Sequence, residues 1–190
     1  TLTIAGNGVL GNGAYVGAVA VSGVLNFSSA NLIGQNLLGP IAGAGVISHN
    51  SAGSPWLYMT NSMTAFTGRF ISAASTMYIG CVPGASPTGA TLQVDGGIVY
   101  IGHNGAAGGT WAIGSLSGTG GTIMPNANTG IAAGYVLQAG ALNSNTTYSG
   151  ILRDSGATKP LSFTKVGSGT LTMTGTNSYS DCVDIFHLAF

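Results

Sequence analysis

The sequence predicts an all-β solenoid, a stack of three-sided coils built from short strands. Three observations predict it. Strand-sized apolar pieces recur along the chain, each bounded by Gly, Asn or Ser bends. No stretch of ~12 residues carries the 3.6-residue apolar repeat of an amphipathic helix. The chain holds 33 Gly and 45% apolar residues, but only four Lys or Arg and four Asp or Glu. An ordinary soluble domain is about a quarter charged. Disordered chains are charged and poor in apolar residues, and collagen needs Gly at every third position, so neither fits. Stacked coils explain the missing charge. Outward positions of successive coils lie ~4.8 Å apart, where like charges repel. At ~20–25 residues per coil the chain makes about eight coils. The same short strands also allow a β-sandwich, which is the alternative fold.

The elements follow in order. Thr1 to Ile4 alternates as a strand and runs into the bend Gly6-Asn7-Gly8. With Gly11 this bend spells G-x-G-x-x-G, but no helix pattern follows and the first acidic residue is Asp95. A dinucleotide fingerprint needs both, so the glycines read as bends that require positive φ. Ala14 to Phe27 holds two strand-like pieces, with Val19, Val21, Val24 and Leu25 as candidate core residues. Leu32 to Ile41 is apolar and broken by Gly34, Gly39 and Pro40. Gly43-Ala44-Gly45 begins a second copy of the opening pattern. Trp56 to Thr60 matches Thr170 to Thr174 residue for residue in its alternation, and Phe70-Ile71 starts a further strand. Thr76 to Val82, Thr91 to Val94, Ile98 to Ile101 and Tyr135 to Leu142 are further strands. Asp95-Gly96-Gly97 suits either a hairpin or a solenoid corner, and the corner is preferred.

The most legible stretch is Phe163 to Ser180. A turn at Gly167-Ser168-Gly169 precedes the strand Thr170 to Thr174, in which Leu171 and Met173 share one face and the threonines the other. A polar corner, Gly175 to Ser180, closes it. Thr164-Lys165, Gly167, Gly169, Asn177 and Tyr179, with the lead-in Tyr148-Ser149-Gly150-Ile151-Leu152, resemble the autotransporter-associated β-strand repeat of bacterial surface proteins. Trp111 to Ile123 resembles the same family through Gly114-Ser115-Leu116-Ser117-Gly118. The resemblance implies a right-handed parallel β-helix from the exported passenger of a surface protein. It implies no catalytic residues and no cofactor. The structural motif residues it marks are Gly167, Gly169, Leu171, Met173, Asn177, Tyr179, Tyr148 and Gly150. Tyr148, Tyr179 and Phe66 are read as corner aromatics stacked between coils, in preference to sugar platforms.

Charge and motifs bound the chemistry. Four cations between Arg69 and Lys165 cannot form a nucleic-acid stripe. The most apolar stretch, Ala14 to Leu25, is too short for a membrane helix and is broken by Gly and Ser. No signal peptide is visible, and the resemblance implies a processed or excised piece of an exported protein, in preference to a cytoplasmic one. Glycoside hydrolysis needs two facing carboxylates. The acids are Asp95 in a bend, Asp154 beside Arg153 in a loop where a local ion pair is expected, and Asp181 and Asp184 near the end. His49, His103 and His187 are scattered, two of them beside Asn in apparent loops, and no metal-ligand spacing is present. Cys81 and Cys182 could form a bridge, stay free, or join two chains.

Residues 1–180 are therefore expected to form the solenoid and 181–190 a divergent last strand or cap, whose Cys182, Ile185, Phe186 and Phe190 are candidates for assembly. The expected function is structural: extension, adhesion or end-to-end self-assembly at the cell surface or outside the cell. Expected partners are further copies or other surface proteins, not nucleic acid. The alternative is a carbohydrate-binding or polysaccharide-degrading β-helix, with glycans as ligands.

Overall fold

The computed structural model describes residues 1–29, 34–51, 55–80, 84–102, 108–126 and 134–186. It is a β-solenoid of about seven turns followed by an eighth, incomplete coil. The first coil carries β1 (Leu2–Gly6), β2 (Ala14–Tyr15) and β3 (Val19–Ala20), and the second β4 (Val24–Ser29), β5 (Gln35–Leu37) and β6 (Ile41–Ala42). The next two carry β7 (Val46–His49) with β8 (Trp56–Met59), then β9 (Arg69–Ser72) with β10 (Thr76–Ile79). Three full coils follow: β11 (Thr91–Val94), β12 (Ile98–Ile101) and β13 (Gly109–Ile113); β14 (Ser115–Ser117), β15 (Thr122–Pro125) and β16 (Tyr135–Ala139); β17 (Thr146–Tyr148), β18 (Ile151–Leu152) and β19 (Leu161–Val166). The last coil carries β20 (Leu171–Met173) and β21 (Val183–Phe186).

Strands stack by face. The first face runs β1-β4-β7-β9-β11-β14, and a single bridge from Gly118 to Tyr148 carries it on to the pair β17-β20. The second runs β2-β5-β8-β10-β12-β15-β18 and ends in a bridge from Arg153 to Ser178. The third comprises β3-β6 and, further on, β13-β16-β19-β21. Every named pair is parallel. The physical reason is the path of the chain: paired neighbours are one whole coil apart, so each strand repeats the direction of the last. Side chains that join neighbouring coils show the period. Ser29 bonds Gly6, 23 residues away, Ser72 bonds Gly96, 24 away, and Ser168 bonds Asn143, 25 away.

The alternation read from sequence becomes the core. Leu25, Ile47, Phe70, Leu92 and Leu116 form an inward column on the first face, and Leu57, Met77, Val99, Ile123 and Leu152 one on the second. Trp111, Leu137 and Phe163 fill the third. Asp95-Gly96-Gly97 is a corner, with Gly97 at φ +68, and not a hairpin. Gly6 and Gly11 likewise hold positive φ at the first corner, beside a single 3-10 turn at Gly11–Gly13.

Two sequence expectations are corrected. Trp56–Met59 lies on the second face, whereas Leu171–Met173 lies on the first, so the two are not copies of one position. Their alternation matches because every face has the same period of two. Tyr148 and Tyr179 do not stack. Tyr148 sits in β17 opposite Met173, Tyr179 follows the second-face bridge at Ser178, and Phe66 meets Gly43 on the third face.

Candidate functional site

Apolar side chains in the first and last described coils are less covered than those between them. Along the rod, inward apolar side chains are fully covered by the coils on either side. The half-buried apolar residues packed on the core are Ile4, Leu10, Tyr15 and Val19 in the first coil, and Leu171, Met173 and Tyr179 in the last. Leu2, inward at the first strand, is 55% exposed, and Val183 and Ile185, in register with Phe163 and Lys165, are 52% and 76% exposed. A cleft of about 530 Å³ opens at the first coil, lined by Leu2, Leu10, Tyr15, Val19, Val21 and Leu25 among others. The apolar column is therefore seen in cross-section at the first and last described coils.

The motif residues shape the coils leading to the last of these. Gly167 holds φ +72, and a Cβ at Gly169 would overlap the backbone of Asn143 and Ser144 in the coil below. At Gly150 a Cβ would overlap Gly120 O, Gly121 O and the Tyr148 hydroxyl. Asn177 is a splint between coils: its Oδ1 accepts the Leu152 N–H at 2.8 Å and its Nδ2 donates to Gly175 O at 3.2 Å. Asn143 and Asn145 do the same for the Ser168 and Thr170 N–H groups, both at 2.8 Å. Tyr148 is fully buried and donates to Gly121 O at 3.3 Å, and burial pushes its phenol far up. Burial also raises the half-exposed Tyr179.

The proposed assembly residues divide. Cys182 is free and exposed, and its thiol donates to Asp184 Oδ2 at 3.3 Å, which pushes its pKa up. Ile185 is exposed on β21, and Phe186 ends that strand. Val183–Phe186 continues the third sheet as an ordinary next rung on β19. Phe190, Cys81, His103 and His187 lie outside the described residues.

The carboxylates are engaged in holding corners. Asp95 Oδ1 accepts the Thr119 N–H at 3.1 Å and its hydroxyl at 3.2 Å, and Oδ2 accepts Gln93 Nε2 at 2.6 Å. The expected Arg153 partnership is replaced at Asp154, whose Oδ1 accepts the Leu161 N–H at 2.7 Å and the Ser180 N–H at 3.2 Å. Burial alone would raise the Asp154 carboxyl, but hydrogen bonds from Ser180 and Leu161 outweigh it and hold it below its ordinary value. Asp181 accepts the Ser162 hydroxyl at 2.7 Å.

Sequence reasoning missed two features. Tyr58, Tyr78 and Tyr100 form an outward ladder on the second face, with ring centroids 5.3 Å and 4.7 Å apart. Tyr78 and Tyr100 are stacked at 15°, so each covers one face of the other. The ladder ties neighbouring coils together. Recurrence of Tyr at the coil period was the signal available for it. Trp56 lies flat over Gly34, where a Cβ would overlap the indole. The second feature is His49. It is not in a loop: it points inward on β7, 1% exposed, between Phe27 and Ser72, and its Nδ1 has no partner among the described residues. Burial lowers its pKa to about 4. No signal short of the fold would have found it, since an inward His is spelled like a loop His.

Among the described residues no helix is long and apolar enough to cross a membrane, and no group of three or more His, Cys, Asp or Glu could hold a metal ion. Comparison with protein-family models, curated proteins and solved structures finds no match to this chain.

Proposed function

We propose that this chain is a non-enzymatic structural β-solenoid of the exported, surface-associated kind, a rod that extends and assembles end to end. One observation carries the reading: parallel coils stack on continuous apolar columns, while Asp95, Asp154 and Asp181 are taken up in bonds that join one stretch of the stack to another. The near absence of charge supports association over dispersal. Resemblance of residues 145–180 to the autotransporter-associated repeat supports an exported setting. The corner-holding roles of Asp95, Asp154 and Asp181 support a scaffold in preference to a catalyst.

The test is sedimentation velocity with negative-stain microscopy across a concentration series. Rods of uniform width that lengthen with concentration are expected. A chain that stays monomeric at every concentration refutes assembly.

A further inference from the structure

We propose that a groove in the middle of the third face binds one neutral sugar unit. The site lies between the fourth and fifth coils, and binding there does not depend on whether the rods lengthen.

A break in the third sheet makes the groove. Along this face Ile41 N–H bonds Ser62 O and Met63 N–H bonds Ala85 O, each at 3.0 Å. The ladder then stops. Among the described residues no backbone bond joins 84–88 to β13, and bonding resumes at the corner, where Gly114 N–H reaches Ala90 O at 2.8 Å. The chain at 84–90 turns on itself instead: Thr88 N–H bonds Ser86 O, and Ala90 N–H bonds Pro87 O.

The direction of the unpaired groups follows from the pattern. Inward residues of this face, Ile41, Met63, Tyr135 and Phe163, donate their N–H to the next coil. Successive residues of a strand turn N–H and C=O to opposite sides. Thr110 and Ala112 flank inward Trp111 on β13, so theirs turn back toward the break. A groove of about 340 Å³ opens there, lined by Thr64, Gly84, Ser86, Thr88, Thr110 and Ala112. Thr64, Thr88 and Thr110 are exposed, and Ser86 is buried.

The lining selects the ligand. None of these residues is charged, so neither a phosphate nor an amine finds a counter-ion. An inserted peptide strand needs two rungs, ~9.6 Å, between its neighbours. The fourth and fifth coils stay directly paired on the other two faces, at β9-β11 and β10-β12. A break on the third face alone therefore admits a compact molecule and not a strand. The volume sits at the small end of the ~300–1,000 Å³ typical of ligand sites. A sugar hydroxyl both donates and accepts, which suits threonine hydroxyls beside backbone N–H and C=O groups. The threonine methyls and Ala112 offer apolar contact to the C–H face of the ring.

The experiment is amide NMR on the whole chain. In hydrogen exchange Thr110 and Ala112 should exchange quickly, and Trp111 and Ile113, which face β16, slowly. Equal protection of all four would overturn the break itself. Maltose, lactose and N,N′-diacetylchitobiose are then titrated, with sorbitol and a blocked glycine amide as open-chain and peptide controls. At least one disaccharide should shift Thr88, Thr110 and Ala112 saturably and leave Thr172, outward on the first face, unmoved. Ala112→Leu, which fills the groove, should abolish the shifts. Thr110→Val, which keeps the shape and removes one hydroxyl, should weaken binding about fivefold. No saturable shift with any of the three sugars overturns the site, as does a shift that Ala112→Leu and Thr110→Val both retain. Equal shifts from sorbitol or the glycine amide overturn the sugar as its ligand. Each of these results leaves rod assembly, read by sedimentation, untouched.

Discussion

Acidification should loosen this solenoid at one buried imidazole. His49 lies inside the stack between Phe27 and Ser72, with no partner for Nδ1 among the described residues. The nearest charged side chain on an adjoining strand, Arg69, is exposed and opposite Val46, on the outward side of β9. Nothing there compensates an imidazolium. Burial takes the folded-state pKa from 6.5 to about 4. Between those values the unfolded chain binds a proton that the folded chain refuses, so stability falls as pH falls. It is intact above the unfolded pKa, and the loss is complete once pH drops below the folded one. The full span of about 2.5 units corresponds to ~3.4 kcal/mol. Moving from pH ~7.5 to ~4.5 realises ~2.5 kcal/mol of it. For a chain of this size that lowers the melting temperature by roughly 5–10 °C. The assay is thermal unfolding by far-UV circular dichroism across that range, on the wild type and on His49→Leu. The variant should lose the slope. At neutral pH it should be at least as stable, because an orphaned buried nitrogen costs ~1–3 kcal/mol. A wild-type melting temperature that is flat over the range, or a slope that His49→Leu retains, refutes the reasoning.

Two further outcomes follow from coil packing. At Gly175 a Cβ would overlap Gly150 O in the coil below, whereas at Gly23 it meets nothing within 4 Å. Gly175→Ala should therefore cost ~1–3 kcal/mol and Gly23→Ala nothing or a slight gain, read as opposite shifts in melting temperature. In the tyrosine ladder Tyr78 has two ring partners, while Tyr58 and Tyr100 each have one among the described residues. At ~0.5–1.5 kcal/mol per ring pair, Tyr78→Ala should destabilise about twice as much as Tyr58→Ala or Tyr100→Ala in chemical denaturation, and equal losses would refute the ladder's cohesive role.

The candidate site was legible to different depths. That Leu171 and Met173 share a face was written in the alternation Thr170 to Thr174, because a strand turns successive side chains to opposite sides. That they are half-buried against the core was not, because it depends on how the coils around them stack. Asn177 could be marked by resemblance, but its role as acceptor for the Leu152 N–H, 25 residues back, exists only once two coils are stacked. Asp154 looked like a partner for its neighbour Arg153, yet the corner delivers two backbone N–H groups to it instead.

The sequence by itself determined the all-β class, the strand pieces, the bends and the approximate length of a coil. These are local properties, carried by a two-residue period, by glycines where φ is positive, and by scarce charge. Only the tertiary structure decided which face each strand joins and therefore what touches what. The corners differ in length, so the shift between paired residues varies from coil to coil, and all three faces share one period. Alternation tells inside from outside, but it cannot say which column a residue enters. That is why Trp56–Met59 and Leu171–Met173 read alike and stand on different faces, and why His49 ended inside the core.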